Sequence, residues 1–486
     1  MGSVLIIGGG VAGLGSALTL AAQGHDVTVV ERDEVTLPAT PDEAFVGWPR
    51  RGAPQVRHSH AFLARLRNLL RDRQPHLLAD LLAAGATELR FTERLPETMT
   101  DTSPMEGDED LVALACRRTT FEWVLRKDAL EARDVRLVQG AVSSLLATTV
   151  DGRPHVTGVV LDEGTELTAD WVIDASGRRS PLPAWFAALG IELEEREEDT
   201  GIVYSSRFYK LVAGAAMPPM VGMTAGDLGF LKFAVFIGDN DTYSITFGVP
   251  TEDADLRRLL REPGFTDAAR VIPALAPWVD ESIAEPLTGV EVMARLLNRS
   301  RRFLSGEGEA PLVTGLLAVG DAHTCTNPLY GRGCSLGFVS AHLLAEALGD
   351  HGDDPVAAAL AYEASMRREV HPWYRSAVAQ DRQDRSARGL DVPDDAEGDI
   401  AGGAMGGGLD PDNVRSLLRD GLMPAVATDP VVFRAFLRMF NLLDPPDRLL
   451  RDPDLLTRVL TVWQDRENRP APEPFGPDRE GLLAAL

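Results

Sequence analysis

The chain has 486 residues with a formal net charge of −25, 44% hydrophobic and 25% charged residues. It exceeds the roughly 250–300 residues at which one hydrophobic core stops growing, so two or three structural units are expected. No apolar run approaches the ~18 residues that membrane insertion needs, and the negative charge argues against nucleic acid, which is bound through basic patches. Cys116, Cys325 and Cys334 lack the paired spacings of a disulfide framework or zinc site and are read as reduced or simply packed. The first apolar run leads straight into a glycine turn with no cationic signal segment before it, which predicts a cytoplasmic protein.

Ser3 to Ile7 reads as a strand, Gly8-Gly-Gly10 breaks it, Val11 to Gln23 has helical spacing until Gly24, and Val27 to Val30 is a second strand. That order opens a doubly wound α/β unit. From Thr36 to Pro54, four prolines and two glycines predict an irregular excursion that wraps a ligand, followed by a helix around Ala61 to Arg73. The α/β unit is expected to resume with strands at Thr157 to Leu161 and Trp171 to Asp174 and a helix near Pro183 to Leu189. Alternating stretches such as Tyr243 to Val249 predict an inserted antiparallel sheet before another α/β strand at Leu316 to Val319 and a helix from Cys334 to Leu348. Beyond Asp354 the pattern is helical, apart from a glycine-rich loop at 386–412. The acidic runs Glu192 to Asp199 and Asp391 to Asp399 read as solvated surface.

Gly8-x-Gly10-x-x-Gly13 sits between strand and helix, where glycines permit a tight turn, approach of a pyrophosphate and close helix packing. The free N–H groups of the helix start face the phosphates. Glu31 ends the second strand, 21 residues after Gly10, where a carboxylate accepts from both ribose hydroxyls; Arg32 lies beside it. An acidic residue there disfavours a 2′-phosphate, so the bound nucleotide is FAD or NAD. No second fingerprint follows a strand, which excludes a stably bound nicotinamide domain.

Gly320-Asp-Ala-His-Thr-Cys-Thr-Asn-Pro-Leu-Tyr-Gly-Arg-Gly333 lies between strand and helix and resembles the GD motif of the FAD-dependent aromatic hydroxylase and squalene epoxidase class. The resemblance implies that Asp321 binds the ribityl chain while Pro328 and Gly331 to Gly333 line the flavin ring. Asp174-Ala-Ser-Gly177-Arg178 resembles the DG motif of that class, with Ala175 where glycine is common. Gly52 to His60, taken with Arg118 in Arg117 to Arg126, is similar to bacterial polyether epoxidases. Arg57 and Arg118 are read as cations for the pyrophosphate or ring, with surface salt bridges as the alternative, and His58 as a donor near the flavin. Two histidines at i, i+2 without a third ligand make no metal site. His323 reads equally as a proton donor or a satisfied loop histidine.

These readings predict an α/β fold: a Rossmann-type FAD-binding domain over 1–200 and 303–350, an antiparallel-sheet substrate domain over 201–302, and a helical C-terminal region over 351–486. The resemblance implies non-covalent FAD, transient reduction by NAD(P)H, and transfer of oxygen from O2 to a small-molecule, natural-product substrate by epoxidation or hydroxylation, with no particular catalytic side chain. A reductase or dehydrogenase of the same fold is the alternative. A flavin halogenase would share the fold, but its Trp-x-Trp-x-Ile-Pro signature is absent, since no two tryptophans fall two apart.

Overall fold

The computed structural model describes residues 2–132, 134–220, 224–306, 310–390, 416–469 and 476–486. Five parallel strands form the central sheet, in the order Leu316–Ala318, Trp171–Asp174, Ser3–Ile7, Asp26–Glu31, Val135–Gln139. The first four are buried on both faces, as a parallel sheet covered by helices requires, which accounts for their near-continuous aliphatic character, while the edge strand Val135–Gln139 is partly exposed. Helices Val11–Ala22 and Gly333–His351 pack together beneath the sheet's carboxyl ends. Their approach depends on glycine: a Cβ on Gly320 would lie 2.9 Å from the Ala12 methyl, and one on Gly15 would meet the Phe338 ring.

A second, antiparallel sheet is built around Ile202–Leu211, Lys232–Ile237 and Thr242–Pro250. Along its last strand Tyr243, Ile245, Phe247 and Val249 enter one aromatic core with Phe265 and Trp278, while Ser244, Thr246 and Gly248 alternate onto the other face. Both faces are buried, so the small polar face is covered by other parts of the chain. Asp239, at the turn before Thr242, fastens this sheet to the helix that follows Arg117: it accepts from the backbone N–H and the guanidinium of Arg117 and from Thr120 Oγ1 at 2.8 Å.

Several sequence-based expectations need correction. The proline-rich excursion contains a helix, Pro41–Gly47, started by Pro41 and capped by the Thr40 hydroxyl. The run around Thr157 belongs to a separate antiparallel sheet, Val142–Val150, Arg153–Leu161, Glu166–Thr168, because its neighbours in sequence fold back on it as hairpins. The acidic run is not merely a solvated surface: Glu194–Asp199 is a strand paired with Leu297–Arg302, where Arg299 and Arg301 meet Glu197 and Glu195. That second strand therefore pairs outside the large antiparallel sheet. At the C-terminal side, helix His371–Ala387 runs into the segment expected as a glycine-rich loop; residues 391–412 of that loop, which include the acidic run at 391–399, fall outside the described residues. Helices Pro430–Phe440 and Pro453–Gln464 share a small core with Met99 and Leu111, and the last helix, Arg479–Ala485, returns Leu482 to the aromatic core.

Candidate functional site

The fingerprint glycines divide the work between backbone shape and open space. Gly8 takes φ +103°, and a Cβ on Gly13 would collide with the Gly8 carbonyl oxygen, so both are dictated by the turn itself. Gly10 differs: a Cβ there meets nothing within 4 Å, and no side chain caps the helix that it starts. Gly333 likewise faces open space at the uncapped start of the nineteen-residue helix Gly333–His351. Two helix N-termini with free N–H groups and positive dipole ends thus lie on tightly packed neighbouring helices.

Glu31 is 4% exposed at the end of its strand and accepts from the Gly9 N–H at 3.0 Å and the Asp33 N–H at 2.9 Å. Burial opposes its charge, but Arg50 at 3.0 Å and Arg126 at 3.4 Å hold its carboxyl below the ordinary value. Arg50 continues to Glu122 at 3.1 Å, Glu122 to Arg118 at 2.7 Å, and Arg118 to His60 Nε2 at 3.2 Å. Three acids, Glu31, Asp33 and Glu122, thereby face three arginines, 50, 118 and 126, and the buried set is neutral. The indole of Trp48 lies beneath the guanidiniums of Arg50 and Arg126, at 5.1 and 5.2 Å. Arg50, Glu122 and Arg126 were missed by motif reading. The i, i+4, i+8 spacing of Arg118, Glu122 and Arg126 puts them on one helix face, a signal that was legible.

The other predicted residues are placed as follows. Asp174 is fully buried, its carboxylate taking the Ser176 N–H at 2.9 Å and the Ser180 hydroxyl at 2.5 Å, which shapes the loop after its strand; that loop abuts the fingerprint, since a Cβ on Gly8 would lie 2.8 Å from the Ala175 carbonyl oxygen. Burial raises its carboxyl. Asp321 lies in the turn after strand Leu316–Ala318; burial raises it against the pull of Arg178, Arg118 and Arg299. Arg32 is exposed and reaches the Arg51 carbonyl, and Arg57 donates to the Val46 carbonyl at 3.1 Å; each meets backbone rather than a carboxylate there. Pro328 opens a short turn that Asn327 caps and Gly331 closes at φ +65°. His323 is satisfied by Thr324 at 2.8 Å and Glu363 at 3.2 Å, which turns it toward a core helix.

His58 faces the small side of the antiparallel sheet. Its Nδ1 lies 3.3 Å from Ser206 Oγ, and a chain of hydroxyls follows through Thr246, Ser59 and Ser244 at 2.6 to 2.8 Å. Burial lowers His58 to about 4, and burial with the Arg118 charge lowers His60 to about 3, so both rings are neutral at pH 7.

The fold has counterparts among known proteins. Residues 3–97 match the family FAD dependent oxidoreductase, and residues 53–210 match Tryptophan halogenase. Flavin-dependent brominase Bmp2 superposes with a TM-score of 0.59 at 16% identity, covering 95% of this chain and 99% of that one. PqsL, a probable FAD-dependent monooxygenase from Pseudomonas aeruginosa, gives 0.57 at 17% identity over 79% and 96%. The anhydrotetracycline hydroxylase OxyS from Streptomyces rimosus gives 0.55 at 18% identity over 91% and 76%. The chain is an oxidoreductase on a flavoprotein fold. The structural likenesses are likenesses of fold, and no curated protein matches in sequence. FAD is the cofactor that the first family names, and the open cradles at Gly10 and Gly333 fit a dinucleotide that bears a ring system.

Proposed function

We propose that this protein is a single-component FAD monooxygenase that uses NAD(P)H and oxygen to epoxidise or hydroxylate a natural-product substrate. The observation that carries the reading is the pairing of Gly10 and Gly333: two open, uncapped helix starts on helices locked together at Ala12, Gly320 and Gly337. A dinucleotide would take its pyrophosphate at the first and its ring at the second. FAD, when bound, supplies the reactive electrons and the activated oxygen; the chain supplies binding, orientation and a dry surface.

Glu31 would accept from the adenosine ribose, Arg118 would meet the pyrophosphate or ring, and Asp321 would hold the ribityl chain. On the substrate side, the buried face of Ser206, Ser244, Thr246 and Gly248 adjoins Leu329, which packs with Ile202, Tyr204, Met293 and Leu296. Small polar side chains there face the ring loop, and neutral His58 would donate or accept a hydrogen bond without adding charge. Epoxidation draws on the resemblance of residues 52–60 to polyether epoxidases.

Halogenation is the second reading, favoured by the match over residues 53–210 and opposed by the missing tryptophan signature. Turnover of candidate alkenes and electron-rich aromatics with NADPH, labelled oxygen and bromide separates the readings by product mass. The monooxygenase places one labelled oxygen atom in the product; bromine in the product assigns halogenation, and reduction without either assigns the reductase.

A further inference from the structure

Helix His371–Ala387 lies outside every recognised motif, yet it carries a buried carboxylate aimed at the ring loop. Asp381 is 4% exposed and accepts three hydrogen bonds: Asn298 Nδ2 at 2.6 Å, Asn327 Nδ2 at 2.8 Å and the Tyr330 phenol at 2.7 Å. Asn327 has its remaining groups fixed as well. Its backbone N–H donates to Asn298 Oδ1 at 2.7 Å, and its Oδ1 accepts from the Leu329 N–H at 3.0 Å and the Tyr204 phenol at 3.3 Å. Four segments, at 204, 298, 327–330 and 381, therefore converge on one carboxylate and one amide.

Within the loop, Arg332 is 7% exposed, held at 4.9 and 4.8 Å over the rings of Tyr330 and Trp373, without a carboxylate at ion-pair distance among the described residues. Burial lowers its guanidinium to about 10, against the pull of Tyr330 and Asp381. One turn on, Asp384 pairs with Lys232 at 2.6 Å and so ties the same helix to the antiparallel sheet.

We propose that Asp381 is a positioning residue which fixes the Asn327–Gly333 loop and, through it, the flavin ring. This rests on the reading of that loop as the ring site. The groups facing Asp381 are Tyr330 and Arg332 from the loop, Tyr204 from the sheet and Asp384 from its own helix; burial pushes its carboxyl up to about 6, while the three donors pull it down. Its charge therefore changes in an accessible range, well above His58 and His60.

Asp381→Asn keeps the shape but presents an NH2 group to donors, since an amide accepts at only one of its two ends. Flavin-free full-length wild type, Asp381→Asn and Tyr330→Phe should be titrated with FAD, and the visible spectrum of each FAD-loaded protein followed from pH 5 to 8. The expected result is a flavin band that shifts near pH 6 in the wild type and is pH-independent in Asp381→Asn, with FAD binding about tenfold weaker in that variant. Tyr330→Phe, which removes one donor, should move the midpoint to higher pH and carries the test if Asp381→Asn does not fold. Unchanged affinity and an unchanged pH course in the variants, even with a lower melting temperature, would make Asp381 a core residue only and overturn the inference. A wild type that takes up no FAD would instead remove the reading beneath it, and the inference with that reading.

Discussion

The two ends of the glycine cleft are built in opposite ways. At the Gly10 end, the turn, the helix start and Glu31 come from one stretch of thirty-one residues, and a neutral set of buried charges closes around them. At the Gly333 end the loop is held by hydrogen bonds from residues 204, 298 and 381, each on a separate element. The first arrangement suits anchoring, because its geometry exists before any ligand arrives. The second suits tuning, because small changes in distant elements reach the loop.

The largest expected effect breaks the anchoring end. Glu31→Ala removes the one carboxylate at ion-pair distance from fully buried Arg126 among the described residues, leaving it the Gly9 and Glu34 carbonyls and the more distant charge of Glu122, and should lower unfolding free energy by about 3–5 kcal/mol in denaturant titration of the apoprotein. FAD binding should be lost with it. A smaller effect is read in pH. His58 is neutral in the fold and held near 4, whereas in the unfolded chain it titrates near its ordinary 6.5. Between those values the unfolded state binds the extra proton, so stability falls as pH drops, by about 3 kcal/mol once pH 4 is reached. His58→Gln should flatten that part of the melting-temperature profile between pH 4 and 6.5. Smaller still, and sharpest for the comparison, are two glycines. Gly10→Ala puts a methyl into open space and should leave the melting temperature unchanged while weakening FAD about tenfold. Gly13→Ala drives a methyl into the Gly8 carbonyl and should lower stability directly.

The same contrast explains what was legible in the sequence. Ser3–Ile7, the fingerprint and Glu31 are contiguous, so periodicity and spacing located them to within a residue. The strand Thr242–Pro250 announced itself by alternation, since one face packs aromatics and the other carries Ser, Thr and Gly. Arg50 was hidden because its carboxylate partners, Glu31, Asp33 and Glu122, stand on two other elements and its own segment has no period. Asp381 was hidden for the same reason: three donors that define it lie 51 to 83 residues away. Asp174 was legible as a motif position, whereas the partners that hold its carboxylate, Ser176 and Ser180, are seen only in the fold.

The central claim is that the cleft between Gly10 and Gly333 holds FAD without a covalent bond. Purified protein should be saturated with FAD, freed of excess, and precipitated with acid, with flavin absorbance then read in supernatant and pellet. The account predicts close to one FAD per chain, all of it in the supernatant, and in Gly10→Ala a dissociation constant about tenfold higher. A wild type that retains no flavin, or one whose colour stays in the pellet, would contradict it.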